Sequence, residues 1–337
     1  MLIGEDVSER LDVVPAKFRV IVTRRPKYAF KNADGVIQAP APAHIIEGGI
    51  PAEALLAQIA VAKYADGQPL YRQEAIYARD KVELDRQLMA QWMGKLGFEL
   101  EIVADYIFSE VKKAERVFAD ETTLPTLAPG SGSTKTAYLW AYARDDRTFG
   151  RSGPPMVAYR FEDGRSGECA VRHLSGYRGI RRWMATLPIT SWRDPIAAMM
   201  ASHWLAAGHT ADASSLHVAG SSRVATTTVG QMAKLWQVEK TVRGQRPDAR
   251  VAARQQASAA IVADLFDLGQ QTLRRISSKS KLAEAIRYAV SRRAIFGRFL
   301  TDGRIELDSN IVERAIRPQT ITRKNSLFAG SDGGGQT

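Results

Sequence analysis

Two carboxylates in this chain stand where chemistry could be done. Asp120 closes the run Arg116-Val117-Phe118-Ala119-Asp120, which reads as a short apolar strand. An acid at the end of a buried strand is placed to hold a divalent cation, because Mg²⁺ prefers carboxylate oxygens and keeps several waters. The position also suits a turn, with Asp120 or Glu121 bonding nearby backbone ahead of Thr122-Thr123. Glu313 lies in Asp308-Ser309-Asn310-Ile311-Val312-Glu313-Arg314-Ala315-Ile316-Arg317. Asn310 and Glu313 have the spacing of a capping box, and Glu313 and Arg317 that of an i,i+4 ion pair. The catalytic alternative points Glu313 into an active site while Arg314, Arg317, Arg323 and Lys324 grip phosphates. The five histidines show no metal-ligand spacing, and a single cysteine, Cys169, excludes a disulfide framework. No Walker loop, dinucleotide fingerprint or G-x-S-x-G motif is present.

The elements that would position these groups follow from periodicity. Residues 9–24 alternate like one or two strands around Pro15, and 38–51 read as a Pro/Gly-rich linker. Helical spacing runs over 52–65, 70–79 and about 85–112, which suits either a helix-turn-helix module or a helical subdomain that only packs. Strand-like runs at 116–120, 137–143 and 156–161 are separated by turn residues and predict three hairpin-linked antiparallel strands. Beyond about Thr226 the pattern is helical again, and Gly330 to Gly335 read as flexible.

Composition narrows the function classes. The 337 residues carry 47 Lys and Arg against 36 Asp and Glu, a formal net charge of +11. Residues 271–330 alone hold 13 Lys and Arg against 5 Asp and Glu, so a polyanion is expected against this C-terminal part. No stretch approaches the roughly 18 apolar residues of a membrane span, and no signal peptide is visible. The cytoplasm is the default compartment.

Several segments resemble insertion-sequence 66 type transposases. They are GEDVSERLDVVPAKFRVIVTRRPKYA (4–29), KYADGQPLYRQEAIYAR (63–79), VFADETTLPTLAPG (117–130), LWAYARDDR (139–147) and much of 278–334. The resemblance implies an α/β protein. A ribonuclease-H-like mixed sheet with helices would follow a helix-turn-helix-like DNA-binding region and a small N-terminal β segment. The implied divisions are 1–50, a zinc-site remnant without its cysteines; 51–115, DNA-binding; 116–330, catalytic, with a helical insertion at about 226–300; and 331–337, a flexible tail. The implied activity is DDE-type nucleotidyl transfer on double-stranded DNA with two Mg²⁺ ions. Asp120 matches the first acid and Glu313 the third, as catalytic residues and metal ligands, while Arg314, Arg317, Arg323 and Lys324 are the DNA contacts. It further implies a homo-oligomer with accessory transposition proteins, acting at the nucleoid.

The resemblance breaks where the second acid belongs. In the family, H-L-x-G-[FY]-x-G-I leads into a strand reading Leu-Gln-Val-Asp-Gly-Tyr. Here HLSGYRGI (173–180) is followed by Arg181-Arg182-Trp183-Met184-Ala185-Thr186, without an Asp or a strand pattern. CAG-GTG-GAT-GGC-TAC encodes Gln-Val-Asp-Gly-Tyr; read one base later it gives Arg-Trp-Met-Ala-Thr. The family register resumes by about Leu216, so 181–215 is expected to be a frameshifted segment. The sheet is then expected to lack that strand, and this copy to be inactive. The family's N-terminal cysteine pairs are missing, with Phe30 in place of one member, so no zinc is expected. The chain also stops at Thr337 where relatives continue, which reads as a truncated copy.

Overall fold

The computed structural model describes residues 8–13, 17–31, 34–183, 223–307 and 310–337. The chain divides into two compact units, Met1–Leu96 and Gly97–Thr337, a division that falls before the 115/116 boundary expected from sequence.

In the first unit, the alternating residues 9–24 form no strand among those described. Leu11 and Val20 stand exposed, so that alternation buries no face. Two three-residue strands follow instead, β1 (Lys27–Ala29) and β2 (Val36–Gln38), paired antiparallel. Helix α1 (Glu53–Ala60) continues into a π-helical turn, Val61–Ala65, and Gly67, at φ 65°, turns the chain toward α2 (Leu70–Arg79). Glycine suits this left-handed conformation because it has no Cβ to clash. The buried Gln73 of α2 ties the pair together. Its Nε2 donates to the carbonyls of Ile59 (3.3 Å) and Gln68 (3.1 Å), and its Oε1 accepts from the Tyr77 hydroxyl (3.0 Å). Leu56, Ile59, Tyr77, Leu84, Met89, Trp92 and Met93 form this unit's core, the last three from α3 (Arg86–Val111).

The second unit is built on a four-stranded sheet of order β5-β4-β3-β6. Strands β3 (Arg116–Ala128), β4 (Ser133–Arg144) and β5 (Met156–Glu162) form the expected antiparallel meander. Gly130 and Gly132, both at positive φ, make the first turn. Helix α4 (Gly167–His173) packs Cys169 and Ala170 on Trp140 and Tyr142 of one sheet face, with Phe108 and Val111 of α3 in the same core.

The chain then returns to the sheet as β6 (Ile180–Trp183), parallel to β3, with Arg116 opposite Ile180 and Ala119 opposite Trp183. This corrects the expectation that no strand follows the HLSGYRGI segment. A parallel ladder is made by backbone groups, so side chains without a strand pattern can still join it. The approach depends on Gly179, where a Cβ would lie 2.7 Å from the Glu115 carbonyl oxygen. That same carbonyl accepts from the Ile180 amide at 2.9 Å, which starts the ladder. From Met184 to Ser222 the frameshift question lies outside the described residues.

The helical region holds α5 (Arg223–Val242), α6 (Pro247–Ala253), a π-helical turn (Arg254–Ser258), α7 (Ala259–Leu273), α8 (Lys281–Ser291) and the short α9 (Arg293–Phe296). Helix α10 (Asn310–Asn325) comes back onto the sheet. Residues 331–337, expected to be a flexible tail, contain a short helix, α11 (Asp332–Gln336). Its Ser331 cap accepts from Gly334 N at 3.1 Å, and Lys135 pairs with Asp332 at 2.8 Å. No described helix is long and apolar enough to cross a membrane.

Candidate active site

Strand β3 presents its side chains alternately to the two faces of the sheet. Val117 and Ala119 join the core under α4, while Phe118 packs with Ala141, Ala143, Val312 and Ile316. Asp120, two residues past Phe118, therefore shares the face that α10 covers. It is 2% exposed, opposite Ala141 of β4, which in turn is opposite Tyr159 of β5. The small side chains of Ala141 and Ala143 leave room for the helix to seat closely against this face.

Helix α10 docks on this face of the sheet by three kinds of contact. Near its start, Val312 and Ile316 pack on Phe118, with Ile311 at the edge of the cluster. In the middle, Pro318 has no amide to give to the preceding turn, which loosens the carbonyls there. The Tyr159 hydroxyl donates to the Ala315 carbonyl at 2.8 Å. Near its end, Arg323 Nη1 donates to the Thr123 carbonyl (2.7 Å) and to the hydroxyls of Thr122 (3.3 Å) and Thr123 (2.5 Å). Asp120 lies in β3 between the residues met by the two ends of this helix.

The sequence-derived residues thus separate into groups. Asp120 is buried on the sheet, and Glu313, adjacent to Val312, is exposed on the helix packed there. Arg314, Arg317 and Lys324 are exposed, whereas Arg323 is half-buried and spends its hydrogen bonds on β3. Among the described residues no group of three or more His, Cys, Asp or Glu is placed to hold a metal. Two hard oxygen donors suit Mg²⁺ in kind, though a pair supplies fewer protein ligands than a three-acid centre.

Sequence reasoning missed a buried ion network at the base of β3. Arg116, Arg250 and Arg254 are at most 1% exposed. Arg250 grips Glu306 with two bonds (2.9 and 3.1 Å) and reaches Glu239 at 2.9 Å. Arg254 grips Glu239 with two more (2.6 and 2.8 Å) and donates to the Phe299 carbonyl at 2.8 Å. Arg116 reaches Glu306 (3.2 Å) and the Asp145 carbonyl (2.7 Å), and donates to the Arg304 carbonyl. Burial pushes the Glu306 carboxyl upward, but the Arg250 hydrogen bonds and the charges of Arg250 and Arg116 outweigh it and hold the group at about 2. Glu306 sits four residues before α10 begins, and Arg116 four residues before Asp120. One set of buried charges therefore joins the strand, the helical region and the entry to α10.

A second polar cluster lies on the opposite face. His173 bonds Glu162 Oε1 (2.7 Å) and the Tyr142 hydroxyl (2.6 Å), and Arg172 also pairs with Glu162 (2.5 Å). Burial lowers the His173 pKa against the opposing pull of Glu162.

Comparison with known proteins gives this geometry a family. Three relatives are uncharacterized proteins of Sinorhizobium fredii (strain NBRC 101917 / NGR234). The protein y4qI is 62% identical over all of this chain and 64% of its own length. The protein y4jD is 39% identical over 99% of this chain and 66% of its own. For y4hP the figures are 30%, 98% and 62%. The chain thus spans about two thirds of the length of these relatives. Residues 1–31 match the zinc-finger binding domain of transposase IS66, which points to zinc and overturns the expectation of none. Those residues hold neither Cys nor His, so they do not fit a thiolate or imidazole zinc site. Residues 48–337 match the model of the transposase IS66 family, and the chain belongs to that family.

Proposed function

We propose that this chain is a DNA transposase by descent, with Asp120 and Glu313 as two acids of a DDE-type centre in a ribonuclease-H-like domain. The observation that carries the proposal is the docking of α10 on the Asp120 face of β3, beside a strand β6 parallel to β3. The sheet order β5-β4-β3-β6, three antiparallel strands and then a parallel one, supports the ribonuclease-H-like assignment. Residues 51–115 are the DNA-binding helices of this reading, and 116–330 the catalytic part.

The chemistry asks little of side chains beyond charge and position. Mg²⁺, when bound, would lower the pKa of a water or 3′-hydroxyl and stabilise the leaving oxygen of the phosphodiester. Asp120 and Glu313 would supply carboxylate oxygens. Arg314, Arg317 and Lys324 would neutralise the phosphates of double-stranded DNA, which the protein meets at the nucleoid as a homo-oligomer with accessory proteins. Arg323 keeps α10 on β3 in this scheme.

The second acid belongs to the frameshifted segment, and this copy joins no DNA. Restoring the frame with single-base insertions or deletions near codons 181 and 215 should recover an Asp-Gly-Tyr strand and Mg²⁺-dependent cleavage of transposon-end DNA. Asp120→Asn or Glu313→Gln in the restored protein should abolish that cleavage. A restored protein that cleaves as well with either substitution refutes the assignment. A non-catalytic DNA-binding remnant is the second reading, favoured by the lack of a three-acid group among the described residues. It predicts salt-dependent duplex binding and no metal-dependent turnover even after restoration. Metal-dependent nicking without joining, lost on Asp120→Asn, would instead mark a nuclease.

A further inference from the structure

Helices α7 and α8 form an antiparallel hairpin whose tip and α8 end are cationic, while α7 itself carries two exposed acids, Asp264 and Asp267. Gly269 of α7 faces Ile286 of α8, where a Cβ would meet the isoleucine Cγ2 at 3.2 Å, and Arg293 just past α8 lies over the Phe266 ring of α7. Residues 269–301 hold eight Lys and Arg against one acid, Glu284. Arg274, Arg275 and Lys279 lie in the connection at the hairpin tip and are exposed. Arg287 reaches back to that tip, its Nη2 donating to the Ser278 carbonyl at 2.8 Å. At the other end Arg292 stacks on Tyr288 at 3.9 Å and Arg293 over Phe266 at 5.1 Å.

None of these six cations forms an ion pair with a described carboxylate. Elsewhere in this unit arginines do find acids: Arg116, Arg250 and Arg254 in the interior, Arg147 and Arg172 at the surface. Gathering like charges at the hairpin tip and the α8 end, unpaired with any described carboxylate, is electrostatically unfavourable in the free protein and favours a polyanionic partner. Stacking and the Ser278 contact fix three of the guanidinium groups, so less side-chain freedom remains to be lost when phosphates arrive.

We infer that the α7–α8 hairpin is a docking face for the phosphate backbone of duplex DNA, separate from α10 and from the two carboxylates. The choice of duplex DNA rests on the transposase reading; the charge argument does not need the carboxylates to be catalytic. Contacts of this kind position a duplex without reading its sequence.

The test is fluorescence anisotropy of a labelled 30-base-pair duplex with the full chain in EDTA, titrated from 50 to 200 mM KCl. Each phosphate contact contributes about 0.9 to the slope of log affinity against log salt, so two contacts account for roughly a twelvefold change over this range. Arg274→Glu/Arg275→Glu should flatten the slope by about two and weaken binding about tenfold or more at 100 mM salt. Lys279→Gln/Arg287→Gln should act in the same direction, and Arg274→Lys/Arg275→Lys should bind like the parent. Thermal melts of all three should match the parent because every site is exposed. Unchanged affinity and slope in both charge-removing variants would overturn the inference, as would tighter binding of single-stranded DNA or RNA of equal length. The binding is read in EDTA, without metal and without turnover, so a failure of the catalytic assignment leaves this binding result standing.

Discussion

Replacing Glu306 with Gln removes one of the two carboxylates that neutralise three buried arginines. The folded-state pKa of Glu306, about 2 against an ordinary 4.5, measures how strongly Arg250 and Arg116 favour its charge. At about 1.4 kcal/mol per pH unit, that difference corresponds to roughly 3 kcal/mol of stability. Breaking a buried ion pair by removing one partner costs about 3–5 kcal/mol, which agrees. For a unit of this size the loss lowers Tm by roughly 6–12 °C. The sign in pH follows from the lowered pKa. The stabilisation is complete above about pH 4.5 and disappears as pH falls through about 2, so parent and Glu306→Gln should converge across that window. Urea denaturation followed by circular dichroism at pH 7, 4.5, 3.5 and 2.5 measures both the size and the convergence. A loss under 1 kcal/mol at pH 7, or a gap that stays constant to pH 2.5, would refute the argument.

Tyr159→Phe removes the hydroxyl that bonds the Ala315 carbonyl and should cost about 0.5–1.5 kcal/mol by denaturant titration, through looser seating of α10. Gly303→Ala should destabilise by about 1–3 kcal/mol or more, because its Cβ would fall 2.0 Å from the Pro247 backbone oxygen, and differential scanning calorimetry would read the loss. The neutral form of His173 is favoured in the fold, so stability present above about pH 6.5 should fall as pH drops below that value toward the lowered folded pKa. His173→Gln should remove this component of the pH dependence, seen as parallel rather than diverging melting curves between pH 7.5 and 5.5.

Local periodicity made much of the framework legible. Helix α2 occupies the span read from its spacing, and α3 lies within a residue or so of it, because the apolar residues that set the pattern are those buried in the core. The meander was legible because Pro129-Gly130-Ser131-Gly132 separates two alternating runs. Strand β6 was not, since a four-residue parallel strand is fixed by its backbone and by the close approach at Gly179. The charge network was hidden by distance, as Arg116 and Glu306 are 190 residues apart. Arg250 and Arg254, spaced i,i+4 on a helical stretch, carry no local pattern that signals their burial. Family resemblance singled out Asp120 and Glu313; spacing alone left both with ordinary capping roles, and the internal use of Arg323 needed the tertiary contact with Thr123.

Beyond the reach of β6, the flank of β3 meets the chain's own C-terminal residues. Leu127 donates to the Ala329 carbonyl and Ala329 to the Pro125 carbonyl, each at 2.8 Å. Pro125 itself has no amide with which to recruit another strand. These two bonds engage the Pro125 carbonyl and the Leu127 amide within the chain, so neither group is left to pair with a strand of another copy.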